Sequence, residues 1–178
     1  MKGTFYLWMA VVLFPSMFVE AALSESPSLF VEGYSGQVSY VAGEKVALHV
    51  STSAQVCSLE IARLGAQREV VMSRLEVPGK KYSVPENASS YGCNWPASYQ
   101  FELPEDWTSG YYEVRLRVSD EGGDFQQRNR RTAEGQCYFI VRPQEPGTRT
   151  KILIQLSTNT YNAYNNWGDF SLYGYHGL

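Results

Sequence analysis

The densest concentration of chemically able side chains lies near the end of the chain, in Ser157-Thr158-Asn159-Thr160-Tyr161-Asn162-Ala163-Tyr164-Asn165-Asn166-Trp167-Gly168. Hydroxyls, amides and phenols follow one another there, and no charged residue appears until Asp169. Such a segment is either a surface connection or the polar loop that α/β folds place at the carboxyl end of a buried strand, where their chemistry is done. Composition alone favours the surface connection, while the residues before it fit the second reading. Lys151-Ile152-Leu153-Ile154-Gln155-Leu156 is a nearly continuous apolar run, the pattern of a strand covered on both faces.

Elsewhere the usual catalytic signatures are missing. There is no Gly-x-Ser-x-Gly elbow, phosphate-binding loop or His-Glu-x-x-His pair. His49 falls on the polar phase of an alternating segment and reads as a solvated histidine. His176, in Gly174-Tyr175-His176-Gly177, reads as a terminal-loop residue. Glu102, Glu105 and Asp106 flank a turn as solvated charges, and Arg128, Arg130, Arg131 and Glu134 read as a polar hairpin loop. A net charge of -3 and the lack of any basic stripe exclude a nucleic-acid footprint. The 3 cysteines, Cys57, Cys93 and Cys137, show no metal-ligand spacing.

The elements that would carry this segment are β-strands. Val46, Leu48 and Val50 alternate with polar or small neighbours, as do Cys57, Leu59 and Ile61, then Tyr99, Phe101 and Leu103, and most clearly Tyr112, Val114, Leu116 and Val118. Glu69–Leu75 and Gln136–Val141 read as two further strands. Short strands between turn clusters predict an immunoglobulin- or fibronectin-like β-sandwich over residues 27–143. The 13 Tyr, 8 Phe and 4 Trp suit sheets, and also sugar-binding faces. Cys57 and Cys137 both fall on the inward phase, so a bridge between sheets and two buried free thiols are both open, with Cys93 in the Tyr91–Pro96 loop as another partner. Residues 144–150, with Pro143, Pro146 and Gly147 in or beside them, form a linker, and residues 151–178 begin an α/β domain that the chain does not complete.

The amino terminus reads as a secretory signal: Lys2, the apolar stretch Phe5–Val19, then Val19-Glu20-Ala21, which predicts cleavage after Ala21. The stretch is short of the about 20 residues a membrane span needs, so the mature chain is expected to be secreted or periplasmic with no stable span. Export permits a disulfide and gives meaning to the glycosylation sequon Asn87-Ala88-Ser89.

Two strings carry a family resemblance. STNTYNAYNNWGDFSLYG resembles the start of the catalytic domain in the N,N-dimethylformamidase large (beta) subunit family, and GCNWPASYQFELPEDWTSGYYEVRL resembles the end of the sandwich before it. The resemblance implies an amidohydrolase of small N-substituted amides holding one iron ion through two tyrosines and a glutamate. Phenolate and carboxylate are hard oxygen donors, and a bound ferric ion polarises a carbonyl and acidifies a bound water. One family tyrosine falls in the Tyr-x-Ala-Tyr-Asn string, at Tyr164 or else Tyr161. The other ligands are expected beyond Leu178, and Tyr173 and Tyr175 match no motif. The chain alone is therefore expected to bind no iron and to be inactive. The rival reading is a secreted immunoglobulin-like module that contacts a glycan or a protein through loops such as Tyr91–Pro96.

Overall fold

The computed structural model describes residues 28–120, 131–148, 151–165, 167 and 171. It is mainly β, and its two sheets face each other as a sandwich. The smaller sheet has β1 (Val31–Ser35), β3 (Lys45–Thr52) and β6 (Tyr99–Glu102) in the order β1-β3-β6, all antiparallel. The larger has β2 (Ser39–Tyr40), β4 (Val56–Leu64), β5 (Arg68–Pro78), β7 (Gly110–Asp120) and β8 (Arg131–Val141) in the order β2-β8-β7-β4-β5. β2 alone runs parallel to its neighbour, β8.

Period-2 alternation explains which faces meet. Val46, Leu48 and Val50 of β3 turn inward against Leu59 and Ile61 of β4, Val114, Leu116 and Val118 of β7 and Phe139 of β8. Each is almost fully removed from water, and burying one such side chain stabilises the fold by about 1.5–3 kcal/mol. A turn at Gly43-Glu44 leads into β3: Gly43 takes φ +83°, its N–H donates to the Leu103 carbonyl at 2.9 Å, and the Glu44 carboxylate accepts from the Val41 N–H at 2.8 Å.

Some expectations fail for identifiable reasons. Lys151–Leu156 joins neither sheet, and Ile152, Leu153 and Ile154 are 79%, 92% and 79% exposed. An apolar run becomes a doubly covered strand only beside neighbouring strands and beneath two layers, and the described residues supply neither. The polar segment after it is a helix rather than a loop: α2 spans Thr158–Tyr164, and a single-turn helix α1 spans Ala88–Tyr91. Arg131 and Glu134 belong to β8, while Arg128 and Arg130 lie outside the described residues, as do the signal segment 1–21, Tyr173, Tyr175 and His176.

The inter-sheet bridge is also corrected. Cys57, Cys93 and Cys137 are all free thiols. Cys57 on β4 and Cys137 on β8 do face inward, but they share the larger sheet with β7 between them. Two strand spacings of about 4.8 Å already exceed the Cα separation a disulfide tolerates. Their registers are offset as well, Cys137 opposing Val114 while Ser58, beside Cys57, opposes Arg117.

Candidate functional site

The outer face of the smaller sheet carries an aromatic cluster. Tyr34 of β1 lies opposite His49 of β3, and their rings stack at 4.7 Å and 8°. The loop before β6 folds Trp95 onto this pair, burying it to 5% exposure. Its backbone N–H donates to the Tyr34 hydroxyl at 2.9 Å, and its indole N–H donates to the Ser83 carbonyl at 2.9 Å. His49 Nδ1 sits 2.6 Å from the Trp95 carbonyl. A carbonyl only accepts, so Nδ1 carries the proton. His49 is thus a packed and bonded residue, contrary to its reading as a solvated one, because Trp95 covers the outward face. Burial raises the Tyr34 phenol above its usual range, opposed by the Trp95 hydrogen bond.

The outer face of the larger sheet carries a second cluster. Tyr111 of β7 and Tyr138 of β8 stack at 4.9 Å and 16°. They are diagonal neighbours, since Glu113 is the residue directly opposite Tyr138. Tyr161 of α2 meets Tyr138 edge-on, with centroids 6.3 Å apart and planes at 82°. Burial, then the neighbouring Tyr138 and Tyr161, push the Tyr111 phenol up to about 12. Beside them Glu113 accepts from Arg68 at 2.8 Å and from Arg115 Nη2 at 3.4 Å, with Arg115 Nε 2.9 Å away as an ion pair, and these contacts hold its carboxyl below the usual range.

Helix α2 connects the two faces. Its N-cap Ser157 makes no side-chain hydrogen bond, and Ala163 is its sole buried residue. Three residues past the helix, Trp167 meets Trp95 edge-on at 5.9 Å and 82°, and its N–H donates to the Asn165 side chain at 3.1 Å. The segment therefore crosses the edge where β1 and β8 meet. It leaves a cleft of about 620 Å³ whose walls include Glu32, Tyr34, Gln136, Asn165 and Trp167. A neighbouring cleft of about 550 Å³ is lined by Ser89, Cys93 and Asn162 together with Tyr34 and Trp167.

The two candidate ligand tyrosines have different surroundings. Tyr161 is half-exposed and engaged by Tyr138, whereas Tyr164 is 66% exposed. Among the described residues no three of His, Cys, Asp and Glu group as metal ligands. One or two phenols on a single helical turn do not make the mixed phenolate–carboxylate shell of a mononuclear iron site, so the residues described here do not fit that group, and no chemical step is assigned to it. Burial pushes the Cys137 thiol up to about 12 and raises Cys57, so neither is an activated nucleophile. Cys93 is raised too, by burial and by the charge of Glu32. Asn87 of the sequon is exposed at the N-terminus of α1.

Sequence reasoning missed that Tyr138, backed by Tyr111, meets the Tyr161 ring and that Trp95, packed on Tyr34, meets the Trp167 ring. For Tyr34, Tyr111 and Tyr138 the available signal was an aromatic residue on the outward phase of a strand, where polar ones are expected; Trp95 lies in the loop before β6 and gave no such signal.

Comparison with known proteins agrees with the two strings quoted above. The family described as N,N-dimethylformamidase beta subunit-like, C-terminal, matches residues 58–178. No curated protein matches the chain. Among solved structures, the sporulation control protein Spo0M of Bacillus subtilis is similar with a TM-score of 0.39 and 14% identity, over 64% of this chain and 49% of that one. The chain thus spans about half the length of that protein.

Proposed function

The chain belongs to the N,N-dimethylformamidase beta subunit-like family, and on that premise we propose that it is the leading part of an exported hydrolase of small N-substituted amides. The reaction is addition of water to the amide carbonyl and loss of the amine, giving a carboxylic acid and an amine. One observation carries the reading: the family match runs without a break from β4 through the sandwich into α2 and the residues after it. A sandwich serving only as a binding module has no use for the Asn/Tyr helix or for the exposed apolar run Ile152–Ile154.

In this reading residues 1–21 are removed on export, the sandwich is an immunoglobulin-like accessory domain, and residues 151–178 open the catalytic α/β domain. The buried Tyr112, whose hydroxyl donates back to the Thr108 carbonyl at 2.7 Å, supports the immunoglobulin-like assignment, since that fold ties a strand corner in the same way. Iron belongs to the completed protein, with Tyr164 the donor this chain contributes. One phenolate oxygen does not hold iron against water, so these residues alone are inactive.

The test is the intact mass of the native exported protein, with iron measured on the same sample. A mass far above 20.1 kDa with about one iron per chain is the expected outcome. A mass just below 20.1 kDa without iron overturns the hydrolase reading for this product and favours the secreted binding module.

A further inference from the structure

Helix α2 is too weak to exist alone. It has seven residues, no side-chain cap and one buried side chain, and isolated helices of this length are marginal at best in water. Asn159 and Asn162 lower its propensity further. Whatever orders it must come from tertiary contacts, and two ring contacts lie on opposite outer faces of the sandwich. On the larger sheet, the Tyr161 ring meets the Tyr138 ring. On the smaller, Trp167 meets Trp95.

Both partners on the sandwich are themselves fixed. Tyr138 is backed by its stack on Tyr111. Trp95 is held by its backbone N–H to Tyr34, its indole N–H to Ser83 and its carbonyl to His49. Rings immobilised in this way pre-orient what packs on them. The edge between the faces is narrow because β8 has no side chain where it passes β1: a Cβ at Gly135 would lie 2.4 Å from the Val31 carbonyl oxygen. A short helix can therefore span both faces.

We propose that the sandwich is the positioning scaffold for α2, gripping it through Tyr138–Tyr161 on one face and Trp95–Trp167 on the other. Tyr161 supplies the ring that meets Tyr138. Tyr164, one turn on, is left 66% exposed, and Asn162 and Asn165 line the clefts. The sandwich then does more than precede the next domain: it sets where that domain's first polar helix stands. What the positioned helix is for rests on the amide-hydrolase reading; that it is positioned does not.

Amide hydrogen exchange on the full chain tests the grip, with the amides of β3 and β7 reporting that the sandwich is intact. Tyr138→Ala and Tyr161→Ala are each expected to speed exchange in residues 158–167 about fivefold or more, while Tyr161→Phe, which keeps the ring, leaves it at the wild-type rate. The double variant Tyr138→Ala/Tyr161→Ala is expected to be no faster than either single one, because the two rings share one interaction. Trp167→Ala speeds exchange in the same residues and Trp167→Phe restores protection. Wild-type exchange in α2 at the rate of an unstructured chain would overturn the proposal. So would unchanged exchange in Tyr138→Ala and Tyr161→Ala with the sandwich intact, or a Tyr161→Phe variant as fast as Tyr161→Ala. Failure of the iron and mass test, by contrast, would remove the hydrolase and leave these exchange rates as predicted.

Discussion

Tyr112 is 1% exposed, with its ring stacked on Trp107 at 5.0 Å and 2° and on Phe139 at 5.6 Å and 9°, and its hydroxyl donates to the Thr108 carbonyl at 2.7 Å. The side chain thus contributes twice, through the area it buries and through a hydrogen bond that satisfies a carbonyl at the entry to β7. Tyr112→Phe keeps the first contribution and removes the second. It is expected to cost about 0.5–1.5 kcal/mol, the usual net worth of one intramolecular hydrogen bond. Tyr112→Ala removes both and is expected to cost about 3–5 kcal/mol. Urea unfolding monitored by circular dichroism reads both, with an unchanged denaturant slope for Tyr112→Phe; a phenylalanine variant as stable as the parent would mean that Thr108 finds water instead. The inward direction of Tyr112 was legible from alternation with Val114, Leu116 and Val118. Its tie to Thr108 was not, because alternation assigns a face and says nothing about which backbone atom a hydroxyl reaches. His49 illustrates the same limit. Its outward phase was read correctly, but a face is wet only if nothing folds over it, and Trp95 comes from a loop 46 residues away.

At the scale of elements, strands that put one apolar face into the core were readable, and Glu69–Leu75 was read within β5 although only Val77 of that strand is buried, whereas the shortest strands were not. β3, β4 and β7 carry uninterrupted apolar alternation and were found close to their true bounds. β1, with the sequence VEGYS, has a single fully buried residue, and β2 has two residues in all. Neither holds enough pattern for periodicity to register. Lys151–Leu156 is the opposite case: the apolar pattern states what a segment would do beside partners and cannot supply them. The approach of β1 to β8 is a further feature with no periodic signal, and it makes a prediction. Adding a methyl group at Gly135 drives a Cβ to 2.4 Å from the Val31 carbonyl oxygen, and backbone cannot yield as a flexible side chain would. Gly135→Ala is therefore expected to cost about 1–3 kcal/mol, as overpacking commonly does. Thermal unfolding of the two proteins side by side measures it, and an unchanged midpoint would show that the two edges slide apart freely.

At the scale of the whole chain, stability is distributed unevenly. Nearly every fully buried side chain lies between Val31 and Val141, and beyond that only Ala163 is buried among the described residues. The sandwich thus has a core of its own, whereas the described residues from 151 onward meet it through the Tyr161 and Trp167 rings and expose Ile152, Leu153 and Ile154 to water. Three consecutive apolar residues left uncovered are a site for association. Residues 28–148 are consequently expected to fold without the rest. Their unfolding in urea should remain a single cooperative transition, weakened by about 1–3 kcal/mol for the two lost aromatic contacts, and the shorter protein should aggregate less at equal concentration. Sedimentation together with urea titration of the two lengths decides the matter. A shorter protein that unfolds without cooperativity would mean that α2 completes the core rather than resting on it, and the dependence would then run from the helix to the sandwich.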